Sequence, residues 1–119
     1  MALTEQQGQD LRRALKRCSS DTIAAAFHFH ETRMASDVTT VVRGILEREM
    51  DEDKLSILAS ADNETRLIDD LGLDSLALTE VVMSAEDIFG ITIENSELKT
   101  IRTFGDLEQF VQEKLGTIP

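Results

Sequence analysis

Apolar residues recur at helical spacing in three stretches of the chain. Val38, Val41, Val42, Ile45 and Leu46 follow i, i+3, i+4, i+7, i+8, the stripe of a helix with one buried face. Ser36 or Asp37 is the expected cap of that helix, and its pattern fades in the acidic run from Glu49 to Asp53. A second helix is predicted from Ser75 to about Phe89, apolar at Leu76, Leu78, Val81, Val82, Met83, Ala85, Ile88 and Phe89. So wide a stripe implies that much of this helix is buried, and Gly90 suits the residue just past its end. In the third stretch Thr103 and Asp106 have capping-box spacing, Phe104, Leu107, Phe110, Val111 and Leu115 share a face, and Gly116 ends the pattern.

Weaker patterns fill the rest. Thr4 and Gln7 are spaced for a capping box, and Leu11, Ala14, Leu15 and Cys18 then predict an amphipathic helix over about 4–18. Ser20 to Met34 holds good helix formers with a blurred period, compatible with a second helix. From Lys54 to Leu73 there is no sustained period, and Leu55, Ile57, Leu58, Leu67, Ile68 and Leu71 are spaced as residues of a long loop laid over a core. A loop of that length is unusual in a small domain and hints at a functional segment. Ile91-Thr92-Ile93 alternates like a strand but lacks a partner, which makes it extended loop, and Ser96 is placed to cap a single turn through Thr100. The expected fold is all-α: a small up-and-down bundle of three main helices plus one short helix, with a long first loop. It occupies residues 36–119, behind an N-terminal extension over 1–35 that is partly helical or disordered.

The 119 residues suffice for one domain of ordinary size, and with no Trp or Tyr the five Phe must supply the large apolar anchors. The net charge of −11 is uneven. Residues 1–35 carry five basic and four acidic groups, leaving seven basic and nineteen acidic in 36–119. That balance argues against nucleic acid and anionic membranes as partners of the bundle, because phosphate binding needs clustered Lys and Arg. A basic protein surface is its natural complement. Cys18 is alone, so an internal disulfide is excluded. There is no signal segment and no apolar run near the roughly 20 residues of a membrane span, so a soluble, cytoplasmic protein is expected. A monomer is the expected state.

Catalytic chemistry has few candidates. His28 and His30, at i, i+2, point to different sides of a helix and read as surface or packing residues. Cys18 reads as a small buried hydrophobe. Asp51-Glu52-Asp53 lacks the spacing and glycine of a calcium loop. Nothing apolar or basic is placed to separate the pKa values of Asp69, Asp70 and Asp74, so a catalytic carboxylate pair is not indicated. Ser75 stands out differently. Gly72 bends the chain before it, Asp74 precedes it, and a helix begins at it, where unpaired N–H groups and the macrodipole favour a phosphate ester. An ordinary N-cap serine would have the same spacing.

The surrounding residues decide between these readings. Asp69-Asp70-Leu71-Gly72-Leu73-Asp74-Ser75-Leu76 resembles the phosphopantetheine attachment motif of acyl carrier proteins. The resemblance continues through Glu80-Val81-Val82-Met83, Glu86 to Ile93 and Ile101-Arg102-Thr103, and covers about residues 36–115. It implies that 36–119 is a carrier domain and that the chain is not an enzyme. It further implies that a magnesium-dependent phosphopantetheinyl transferase esterifies the Ser75 hydroxyl with 4'-phosphopantetheine. The arm would hold acyl intermediates as thioesters for fatty-acid, polyketide or related specialised lipid enzymes. By the same resemblance Asp74, Leu76, Glu80, Met83, Glu86 and Asp87 match positions that meet basic docking surfaces on acyl-loading and acyl-processing enzymes. Ala77 and Leu78 depart from the acidic or small polar pair usual in fatty-acid carriers, which points to a specialised pathway. Val82, Ala85, Ile88, Phe104 and Phe110 either line a space for cargo or form a plain core. Met34-Ala-Ser-Asp-Val looks like the start of shorter carriers, so the extension is either untranslated from that start or a helical appendage. The alternatives are an amino-acid or peptidyl carrier and an unmodified acidic helical module in which Ser75 is only a cap.

Overall fold

A computed structural model of the chain describes residues 3–116. The capping box at Thr4 forms as expected, Thr4 Oγ1 accepting from Gln7 N–H while Gln7 Oε1 accepts from Thr4 N–H, and it starts helix α1, Glu5–Ala14. This helix is shorter than the pattern suggested. It closes at Leu15, and residues 15–18 form a turn in which Arg17 takes a left-handed φ of 70°. Ser19 caps α2, Ser20–Thr32. A second left-handed residue, Arg33 with φ 62°, then turns the chain directly into α3, Ala35–Glu49.

The start of α3 differs from the expectation. Its N-cap is Met34, without a side-chain cap, and neither Ser36 nor Asp37 fills that role. The tight connection from α2 draws the Asp37 carboxylate instead to His28 Nδ1 and the Thr32 hydroxyl, so its charge still lies in the first turn. The stretch read as one long loop contains a 3-10 turn, Glu52–Lys54, and a five-residue helix α4, Leu55–Ala59. Periodicity cannot reveal a helix this short. Its carbonyl ends are closed from outside, the Arg43 guanidinium donating to Leu58 O at 2.9 Å and Ala61 O at 3.2 Å. Helix α5 runs Ser75–Phe89 and ends on left-handed Gly90. Residues 91–93 form a loop and no strand. Helix α6, Asn95–Leu98, is capped by Glu94 paired with Glu97 rather than by Ser96. Helix α7, Phe104–Leu115, starts with the Thr103/Asp106 capping box and ends on left-handed Gly116.

The all-α bundle centres on α3, which packs against α2, α5 and α7, while α1 lies along α5. Val38, Val41, Val42, Ile45 and Leu46, the stripe read from the sequence, are at most 1% exposed. Helices α2 and α3 approach closely at Gly44, where a Cβ would lie 2.1 Å from Thr22 Oγ1. That contact requires glycine. Phe29 of α2 is fully buried and meets Phe89 of α5 edge to face at 5.4 Å. His30 Nε2 hydrogen-bonds the Ile88 carbonyl at 2.8 Å. The two imidazoles thus act apart, His28 at the surface with Asp37 and His30 partly buried against Ile88.

Candidate functional site

The segment before Ser75 is braced by its backbone. Leu67, Leu71 and Leu73 point into the core, each at most 3% exposed, which leaves the intervening residues at the surface. Leu67 N–H donates to Arg102 O at 3.0 Å, and the 66–72 turn closes with Leu71 N–H to Arg66 O at 3.1 Å and Gly72 N–H to Ile68 O at 3.0 Å. The Asp70 carboxylate accepts from Arg66 N–H at 2.7 Å, while Asp69 faces solvent beside Arg66. Gly72 has φ +75°, a conformation that costs an L-residue roughly 1–2 kcal/mol. A Cβ there would only touch Lys54 at 3.6 Å, so conformation, not space, sets the requirement.

Asp74, not Ser75, is the N-cap of α5. Its carboxylate accepts from Ala77 N–H at 2.7 Å, and its carbonyl accepts from Leu78 N–H at 3.0 Å. Ser75 is the first helical residue and is exposed; its carbonyl is bonded by Thr79 Oγ1, and no described residue hydrogen-bonds its hydroxyl. The hydroxyl therefore has no structural duty and stands at the positive end of the helix, beside backbone N–H groups that precede the first helical bond. A phosphate ester fits this position by exposure and by charge.

The structure gathers most of the remaining candidates on one face. Leu76, Glu80, Met83 and Asp87 follow i, i+4, i+7, i+11 and are all exposed, Leu76 at 70% and Met83 at 51%. Asp74 is exposed at the N-terminal end of the same helix. Glu86 stands apart, half-buried, with its carboxylate accepting from Ile93 N–H at 2.9 Å, a bond that anchors the loop after α5. The residues weighed as a cargo space are core: Val82, Ala85, Ile88 and Phe104 are at most 5% exposed, and Phe110 packs against the same cluster. A cleft of about 540 Å³ lies elsewhere, between the loop before Ser75 and the start of α7, with Ile68, Leu78 and Ile101 among its walls.

One structural residue escaped the sequence reading. Arg48 follows the apolar stripe into the acidic run and looks solvated, yet its side chain is only 7% exposed. It donates to Ala14 O at 2.9 Å and Lys16 O at 3.2 Å at the end of α1, to Ser84 Oγ on α5, and pairs with Glu49 at 2.9 Å. Only tertiary structure brings those groups together. Cys18 lies 3.7 Å from the same guanidinium, and burial pushes its thiol above the usual value, the behaviour of a packing residue rather than a nucleophile. No helix among the described residues is long and apolar enough to cross a membrane.

Residues 38–111 match the family model described as phosphopantetheine attachment site. The helical fold is thus that of a phosphopantetheine-bearing carrier, a class that carries rather than catalyses. The chain is 34% identical over 80 residues to an acyl carrier protein of Thermotoga maritima, an alignment covering 67% of this chain and 94% of that one. It is 41% identical over 81 residues to an acyl carrier protein of Phenylobacterium zucineum, covering 68% of this chain and 98% of the relative. This chain belongs to the acyl carrier protein family.

Proposed function

We propose that Ser75 is the residue esterified by phosphopantetheine and that the chain carries acyl groups between enzymes of a fatty-acid, polyketide or related specialised lipid pathway. One observation carries the reading: Asp74 performs the capping of α5, so the Ser75 hydroxyl is exposed and unengaged at a helix N-terminus. When attached, the arm supplies a terminal thiol that holds an acyl group as a thioester. The chain's own contribution is placement. Gly72 and the buried Leu71 and Leu73 fix the loop, Asp74 fixes the first turn, and Ser75 is presented to a transferase that supplies the activation, so no base is required nearby. Tethering the cargo raises its effective concentration at each partner enzyme.

The partners are a phosphopantetheinyl transferase and acyl-loading and acyl-processing enzymes with basic docking surfaces, met in the cytoplasm by the face of α5 that holds Leu76, Glu80, Met83 and Asp87. Charge on that face favours fast, weak, salt-sensitive encounters, suited to a carrier that must leave each enzyme quickly. The cleft walled by Ile68, Leu78 and Ile101 includes a residue of α5 three positions after Ser75 and would shelter the apolar part of a cargo. Incubation with coenzyme A and a broad-specificity transferase tests the attachment. The protein should gain the mass of one phosphopantetheinyl group, Ser75→Ala should not, and an unmodified wild-type chain would refute the reading.

A further inference from the structure

The four basic residues Arg12, Arg13, Lys16 and Arg17 make up a third of the twelve in the chain and lie within six positions, at the end of α1. The structure places that end against the acidic docking helix. Arg48 joins the two, donating from one guanidinium to Lys16 O and to Ser84 Oγ. Ser84 follows Glu80 by four residues and precedes Asp87 by three, so it borders their face of α5. Further along, Arg13 and Asp87 line one surface groove. The end of α1 is anchored there: Leu11 and Leu15 are buried to 4% and 0%, and Arg48 satisfies carbonyls that the end of α1 leaves open. Arg13 and Arg17 nevertheless keep 75% and 67% of their side chains exposed, each in a single pair, with Asp10 at 3.4 Å and Glu49 at 3.8 Å. The Arg13–Asp10 pair is exposed on both sides and holds its charges loosely, while Arg17 shares the largely buried Glu49 with Arg48 and keeps its own guanidinium in solvent.

We propose that the docking surface of this carrier is composite: the acidic face of α5 flanked by the basic end of α1, formed by Arg13, Lys16 and Arg17. The partner that fits it is an enzyme whose cationic centre is bordered by carboxylates on the side that meets α1. A partner with a wholly cationic rim places like charges against Arg13, Lys16 and Arg17 and is disfavoured, which gives the extension a role in selecting partners. The proposal rests on α5 being the docking helix.

The test uses the full-length, phosphopantetheinylated chain and, as probe, a malonyl-transferring enzyme of fatty-acid synthesis whose docking rim is Arg and Lys. The variant Arg13→Glu/Lys16→Glu/Arg17→Glu should raise kcat/KM by about fivefold or more, an advantage that shrinks as salt rises. The charge-conserving Arg13→Lys/Lys16→Arg/Arg17→Lys should match wild type. A neutral Arg13→Gln/Lys16→Gln variant, expected to fall between, covers any folding defect of the reversal, which circular dichroism would reveal. Changing two rim lysines of the probe beside α1 to glutamate should invert the preference toward wild type. If reversal, neutral and wild-type chains are processed alike while Glu80→Lys slows transfer, the composite surface is wrong and α5 docking stands. If Glu80→Lys has no effect either, the reading of α5 itself fails.

Discussion

The Asp74 carboxylate accepts the Ala77 N–H at 2.7 Å, and this bond closes the first turn of α5 without involving the serine between them. The cap of α5 thus rests on Asp74 and leaves the neighbouring Ser75 hydroxyl without a structural partner among the described residues. Asp74→Ala should destabilise the protein by about 1 kcal/mol, as loss of an N-cap does, whereas Ser75→Ala should stay within about 0.5 kcal/mol of wild type. Urea unfolding of the two variants checks this. A larger loss in Ser75→Ala than in Asp74→Ala would mean that Ser75 is the cap after all.

A side chain at Gly72 should cost stability through the backbone rather than through contact. With φ at +75° and only a distant Lys54 contact at 3.6 Å, Gly72→Ala should cost roughly 1–2 kcal/mol through backbone conformation alone. Gly72→Asn should recover part of that loss, since asparagine enters the left-handed region more readily. Equal losses in both, measured by denaturant unfolding, would point to a steric cause.

The N-terminal helices contribute to the core. Phe29→Ala empties a fully buried site against Phe89 and should cost about 3–5 kcal/mol. Gly44→Ala forces Thr22 away from a 2.1 Å approach and should cost about 1–3 kcal/mol by overpacking. Thermal unfolding of both variants, together with a chain beginning at Met34, measures how far the bundle depends on residues 1–33. Unchanged midpoints in all three would show that it does not.

The Asp106 carboxylate accepts the N–H groups of Arg102 and Thr103, each at 3.1 Å, and the Arg102 bond foremost holds its pKa below the ordinary aspartate value. A depressed folded-state pKa contributes stability above the unfolded-state value and loses it as pH falls through the folded-state value. Wild type should therefore lose stability on acidification below the ordinary aspartate range. Asp106→Asn should be less stable at neutral pH and show a shallower acid slope in unfolding midpoints against pH. A slope unchanged by the substitution would remove Asp106 from the account.

How much was legible in the sequence followed from the range of each interaction. Helices α3, α5 and α7 were readable because their stripes span three or more turns, and Gly90, Gly116 and the Thr4 and Thr103 capping boxes act within four residues. Helix α4 was not, since five residues show less than two turns of pattern and its end is closed by Arg43 from another helix. The cap of α3 was misplaced because His28 and Thr32, brought close by the α2–α3 turn, claim Asp37. At the site, Ser75 stood out through a local motif, whereas the face of Leu76, Glu80, Met83 and Asp87 came from the family resemblance alone: by spacing Leu76 and Met83 belonged to the apolar stripe, yet they are 70% and 51% exposed because they lie on the side of α5 that no other described helix covers. The engagement of Glu86 by Ile93 and the burial of Arg48 under α1 depend on folds in the chain that no local pattern encodes.

The central claim is tested most directly by peptide mapping after modification. Wild type and Ser75→Ala, each full length, are incubated with coenzyme A, magnesium and a broad-specificity phosphopantetheinyl transferase, then digested and sequenced by tandem mass spectrometry. The account predicts one phosphopantetheinyl group per wild-type chain, located on Ser75, and none on Ser75→Ala. Modification at another residue, or a wild-type chain that remains unmodified while a control carrier is loaded in the same tube, would contradict it.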